Sequence, residues 1–156
     1  MGPTQKMARK SMYLALLLIT GIAPPAFAQS SQFDISNYKG KVVYLDFWAS
    51  WCGPCKQSFP YMASLRQQYA KQGFTVVTIN LDKNRAQADA FLNKVGVNLP
   101  VTYDAGGSLA KQYRVSDMPT SIVFDRNGKV RFTHKGFFPN KTKEYSAHVA
   151  QIVNEN

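Results

Sequence analysis

Residues 42–56 constrain the fold of this chain more than any other stretch. Val42-Val43-Tyr44-Leu45-Asp46-Phe47 is almost wholly apolar and reads as a buried strand, and Lys56 to Gln72 reads as a helix. Between them lies Trp51-Cys52-Gly53-Pro54-Cys55, which holds the only two cysteines of the 156 residues. A C-x-x-C at a strand-to-helix turn reads as a redox dithiol. At the start of the helix the Cys52 sulfur would face unpaired backbone N–H groups and the positive end of the helix dipole, which favour the thiolate. Cys55 lies one turn on, near enough to close a disulfide with Cys52 and to resolve a mixed one. Pro54 suits the first helical turn, where a missing N–H costs nothing, and Gly53 lets a partner chain come close. Two blander readings are weaker. A purely structural bridge closing so short a loop constrains the unfolded chain little. A zinc site would need two more ligands, and the only candidates, His134 and His148, match none of the usual short spacings.

The rest of the chain fits one domain with an export address. Its length suits a single domain, and 45% hydrophobic residues allow a proper core. Residues 1–28 have the form of a secretory signal: a basic start at Lys6, Arg9 and Lys10, an apolar run over Tyr13 to Ile22, a break at Pro24 and Pro25, and the A-x-A-like Ala26-Phe27-Ala28. The alternative is an uncleaved anchor, but the run is far short of the about 20 residues that span a bilayer. Residues 29–156 would form the mature domain. Loss of the three basic residues lowers the net charge from +10 to +7. The remaining lysines and arginines are scattered, which favours a solvated basic surface over a binding stripe, and nothing points to nucleic acid.

Along the domain, the helix after Cys55 carries Phe59, Met62, Leu65 and Tyr69 on one face, a core stripe. Pro60 is expected to kink it, and Gly73 to end it. A second buried strand is expected over Phe74 to Leu81, an amphipathic helix around Ala88 to Val95, an extended piece around Leu99 to Tyr103 and a short helix over Leu109 to Tyr113. Thr120 to Asp125 and Val130 to Gly136 flank an Asn127-Gly128 hairpin signal, and Asn140 to Val153 reads as a closing helix. His134 and His148 read as packing or surface residues. This order implies an α/β domain with a central mixed sheet and helices on both faces. Asp46 is the exception within its apolar run. It is either an ordinary polar residue at a strand end or a buried carboxyl with a raised pKa that moves protons to and from Cys55. Pro119, at the start of a buried strand, would by itself be read as trans.

Phe47-Trp48-Ala49-Ser50-Trp51-Cys52-Gly53-Pro54-Cys55-Lys56 resembles the active-site segment of the thioredoxin superfamily, and Val115 to Asp125 resembles the segment that carries its cis-proline. The added helix and short strand within residues 84–114 resemble the exported TlpA/ResA/CcmG-like branch. The resemblance implies the thioredoxin fold, a cis bond before Pro119 facing the dithiol, and Asp46 at the place of thioredoxin's buried acid. Two departures stand out. Ser58 occupies a position where many exported reductases carry glutamate, and Thr78 occupies the place of thioredoxin's lysine beside the buried acid.

The expected function is that of a periplasmic thiol–disulfide oxidoreductase, working as a reductase. Cys52 would be the nucleophile, Cys55 the resolving thiol and Asp46 the proton carrier. Trp51, Gly53, Pro54, Met118 and Pro119 would form the substrate surface. No metal or organic cofactor is implied. The implied partners are exported proteins with disulfides, apocytochrome c among them, and a thiol electron donor in the membrane; the expected form is a monomer. A disulfide-introducing oxidase is the first alternative, although Gly53-Pro54 lacks the histidine that strong oxidants carry between their cysteines. A thioredoxin-fold binding or chaperone module without turnover is the second.

Overall fold

The computed structural model describes residues 1–2 and 33–155. Nearly all of the expected signal, residues 1–28, lies outside that range, as do residues 29–32. No helix among the described residues is long and apolar enough to cross a membrane.

The sheet grows outward from β1, Val42–Trp48, all seven residues of which are buried. Such a run of β-branched and aromatic residues favours a strand covered on both faces. β1 pairs in parallel with β2, Phe74–Asn80, and antiparallel with β4, Thr120–Phe124. β3, Val101–Tyr103, joins β2 in parallel, and β5, Val130–Lys135, joins β4 antiparallel. The order is therefore β3-β2-β1-β4-β5, a mixed five-stranded sheet with the dithiol strand at its centre. The expected architecture is the observed one.

Alternation along β1 sorts the core into two layers. Val42, Tyr44 and Trp48 face one side, where they meet Cys55, Phe59, Met62 and Leu65 of α1, Gly53–Tyr69. The same layer takes Ala88 of α2, Arg85–Val95, and Val149, Ile152 and Val153 of α4, Thr142–Val153. Val43, Leu45 and Phe47 face the other side, where Phe33 and Leu109 of α3, Ser108–Gln112, cover them. Asp46 has the parity of Tyr44 and Trp48, so its carboxyl points toward the layer that holds the dithiol helix.

Most boundaries follow from local chemistry. α1 starts three residues earlier than the periodicity alone suggests, because Cys52 caps it and Pro54 fits its first turn. The helix continues past Pro60 to Tyr69, followed by a 3-10 turn over Ala70–Gln72 and by Gly73 at a φ of 76°. Asn84 caps α2 by accepting from the Ala86 N–H. The closing segment is not one helix: Pro139–Lys141 forms a separate 3-10 turn, and the Thr142 hydroxyl donates to the Pro139 carbonyl where α4 begins.

Aromatic packing ties the dithiol helix to the sheet. Phe59 is fully buried, 5.0 Å between ring centroids from Trp48 and 5.4 Å from Phe91 of α2. Replacing it with alanine would leave a void under the active-site turn. We expect Phe59→Ala to lower stability by about 3–5 kcal/mol in urea unfolding. A loss below about 1 kcal/mol would show that α1 is held by other contacts.

Candidate active site

The β1–α1 junction presents the two sulfurs. Cys52 and Cys55 form a disulfide, with Cα atoms 5.3 Å apart. Cys52 is the N-cap of α1, and its Sγ accepts the Cys55 backbone N–H at 3.3 Å. That contact places Cys52 where the helix's free N–H groups and dipole would stabilise a negative sulfur. Cys52 retains a little exposure and Cys55 has none. Of the two sulfur-bearing residues, Cys52 is therefore the one a partner could reach, with Cys55 behind it. Ser58, one turn on, is buried and donates to the Cys55 carbonyl at 3.0 Å. The serine side chain brings no carboxyl into this turn of α1.

The turn before Cys52 is held by a residue that the sequence did not single out. Asp82, buried just past the end of β2, accepts from the Ser50 N–H at 2.9 Å and from the Ser50 hydroxyl at 2.8 Å. Asn80 donates to the same carboxylate at 2.7 Å. One side chain thus pins the loop that carries Trp51 and Cys52 to the neighbouring strand. The available signal was an acid following a strand that reads as buried, which gives no hint of its partner 32 residues away.

Three of the expected surface residues flank Cys52 along the chain. Trp51 is 70% exposed, and Gly53 and Pro54 are exposed beside it. Met118 is half-buried against the layer that contains both cysteines, and Pro119 is buried after a cis Met118–Pro119 bond. The Pro119 carbonyl accepts from the Gly136 N–H at 2.7 Å, which anchors the start of β4 to the end of β5.

Asp46 is fully buried at the middle of the sheet. In register it lies between Thr78 on β2 and Ser121 on β4. The Ser121 hydroxyl donates to Oδ1 at 2.6 Å, while Oδ2 has no partner among the described residues. Thr78 brings no charge, and its hydroxyl turns to the Pro100 carbonyl. Burial therefore pushes the carboxyl up to about 7, against a smaller opposing effect of the Ser121 hydrogen bond. The centre of the sheet thus holds an acid able to gain and lose a proton near neutrality.

The two histidines meet each other between β5 and α4. His134 Nε2 and His148 Nδ1 are 3.0 Å apart, with His148 stacked on Phe132 and His134 against Tyr145. Burial holds His134 down at about 4, with the neighbouring His148 adding to the shift. The pair packs α4 onto β5. No group of three or more metal-ligating side chains occurs among the described residues.

The family model described as Redoxin matches residues 23–149. The chain belongs to the Redoxin family. This Redoxin chain is 37% identical over 99 residues to the thiol-disulfide oxidoreductase ResA of Bacillus subtilis, a match covering 64% of this chain and 55% of that protein. It is 34% identical over 116 residues to the ResA of Bacillus thuringiensis, covering 74% and 65%. The matches thus span 55–65% of the length of those two relatives. Among solved structures, a protein of Chlorobium tepidum provisionally assigned as the thiol:disulfide interchange protein DsbE is 43% identical, with a TM-score of 0.75 over 77% of this chain and 85% of that one. StoA of Bacillus subtilis is 27% identical, with a TM-score of 0.61 over 71% and 84%. The fold of this Redoxin chain is the thioredoxin fold.

The buried acid makes a stability prediction. In the native protein Asp46 keeps its proton up to a pH of about 7, whereas an ordinary aspartate ionises near 3.8. Between those values the folded state binds more protons than the unfolded one, so stability falls as pH rises through that window. Asp46→Asn removes this slope. We expect the variant to match the parent protein near pH 3.5 and to exceed it by up to about 4 kcal/mol at pH 8, since each tenfold difference in proton affinity between the folded and unfolded states is worth about 1.4 kcal/mol. Urea unfolding of the oxidised proteins across that range checks it; a difference that does not grow with pH would contradict the raised pKa.

Proposed function

We propose that this protein is a thiol–disulfide oxidoreductase that reduces disulfides in exported proteins, in the periplasm, after removal of residues 1–28. The observation that carries this is the Cys52 sulfur at the N-cap of α1, accepting the Cys55 N–H beside exposed Trp51. The Redoxin membership and the ResA likeness support the same chemistry.

In the reduced protein the Cys52 thiolate attacks one sulfur of a client disulfide. A Cys52–client disulfide forms, the client bond breaks, and one client sulfur leaves as thiolate. Cys55 gives its proton to the ionised Asp46 and attacks Sγ of Cys52. The Cys52–Cys55 disulfide forms, and the second client sulfur leaves. Two electrons have passed from the dithiol to the client, and the departing thiolates take up protons. Asp46 suits this task because its pKa near 7 lets either protonation state form at little cost. Trp51, Gly53, Pro54 and Met118 offer the client a shallow apolar surface, and the backbone before Pro119 can pair with an extended client strand. A thiol donor in the membrane would restore the dithiol, and apocytochrome c fits as one client of such a reductase. The exchange runs through sulfur alone, and a monomer suffices for it.

Trapping separates this function from a binding role. Cys55→Ala leaves Cys52 able to attack and removes the thiol that releases it, so it should accumulate a covalent complex with insulin that dithiothreitol dissolves. Cys52→Ala should form none and should lose insulin reduction altogether. No insulin reduction by the parent protein together with no trapped complex in Cys55→Ala would show a binding module without turnover.

A further inference from the structure

A groove of about 310 Å³ opens beside Cys52, and neither Met118 nor Pro119 lines it. Its floor and far wall are a stripe of α2: Gln87, Ala90, Phe91 and Lys94, at the i, i+3, i+4 and i+7 spacing that puts residues on one helix face. The near wall is Trp51 and Lys56. Phe91 is fixed from below, 4.9 Å between ring centroids from Trp48 and 5.4 Å from Phe59, so the floor is rigid. Lys56 and Lys94 are both exposed, no carboxylate lines the groove, and neither lysine is in an ion pair among the described residues. The acid of α2, Asp89, turns elsewhere, to Arg85 and to the Tyr103 hydroxyl. The groove is therefore apolar at its base and positive at its rim, and it ends at the attacking sulfur.

Its length decides what fits. The seven residue-to-residue steps from Gln87 to Lys94 rise about 10 Å, which an extended chain covers in about three residues. We propose that this groove is a subsite for the client segment flanking the attacked cysteine, and that Lys56 and Lys94 select clients with a glutamate or aspartate two or three residues from that cysteine. The inference rests on the proposed oxidoreductase activity and adds to it a preferred substrate class. The carboxylate would meet the two ammonium groups while the intervening residue packs on Phe91 and Trp51. Such exposed attraction acts mainly on the rate of productive encounter.

The test uses the reduced full-length mature protein and short peptides, each holding one cysteine in a mixed disulfide with 5-thio-2-nitrobenzoate, with Glu, Gln or Lys placed two or three residues to either side. At about 0.01 M salt, where screening reaches about 30 Å, the Glu peptide at one of those positions should release the chromophore about 5–10-fold faster than its Lys counterpart. The gap should close near 1 M salt, where the screening length is about 3 Å. Lys94→Glu should reverse the order. Lys129→Glu, at the far end of the sheet, changes the net charge equally and should leave the order intact. Equal rates for all peptides at low salt overturn the subsite. So does an unchanged order in Lys94→Glu. Binding to vesicles containing anionic lipid that is lost in a Lys56→Glu, Lys94→Glu variant, without any peptide preference, would assign these cations to a membrane surface and overturn it too. If no peptide reacts at all, the oxidoreductase function itself fails.

Discussion

The Cys52 sulfur accepting a backbone N–H at the first turn of α1 is the contact on which the site depends. A helix end leaves several N–H groups without partners, and something must meet them. Here a sulfur does so, and the same geometry that completes the helix prepares the sulfur to carry charge. The surroundings keep this arrangement in place. Asp82 fixes the loop before Cys52, Pro54 sets the first turn, and Phe59 wedges α1 between Trp48 and Phe91. The central strand is buried on both faces, so the junction cannot shift without disturbing two layers of core.

At the middle of the sheet the balance differs. Asp46 has one hydroxyl partner and no cation to compensate its charge, because its neighbours in register are Thr78 and Ser121. A buried carboxyl so placed is costly to stability when ionised. In return it offers a group that titrates near neutrality on the face of the central strand that α1 covers. With Ser58 in the next turn of the dithiol helix, Asp46 carries that burden without a second acid from α1.

Much of this was legible in the chain. The apolar run into C-x-x-C gave the strand, the helix and the sulfur at its start, since each follows from local periodicity and capping. The hairpin at Asn127-Gly128 was equally local. Other features were not. The cis bond before Pro119 came only with the resemblance, because residue pattern alone favours trans at a strand start. The Ser121–Asp46 bond spans 75 residues and exists only once β1 and β4 are in register. The hold of Asp82 on Ser50 needs β1 and β2 side by side. The His134–His148 contact likewise needs α4 laid across β5, which spacing along the chain does not encode. Local rules wrote the elements, and long-range register wrote the electrostatics.

The reducing direction of the dithiol is the central claim, and one measurement tests it most directly: the reduction potential of the Cys52–Cys55 pair, from equilibration in defined thiol buffers. A reductase with a Gly-Pro spacer and a capped but otherwise unassisted thiolate should lie near about −270 mV, in the range of thioredoxin. A value near about −120 mV, in the range of a strong periplasmic oxidant, would contradict the account and make the protein a donor of disulfides.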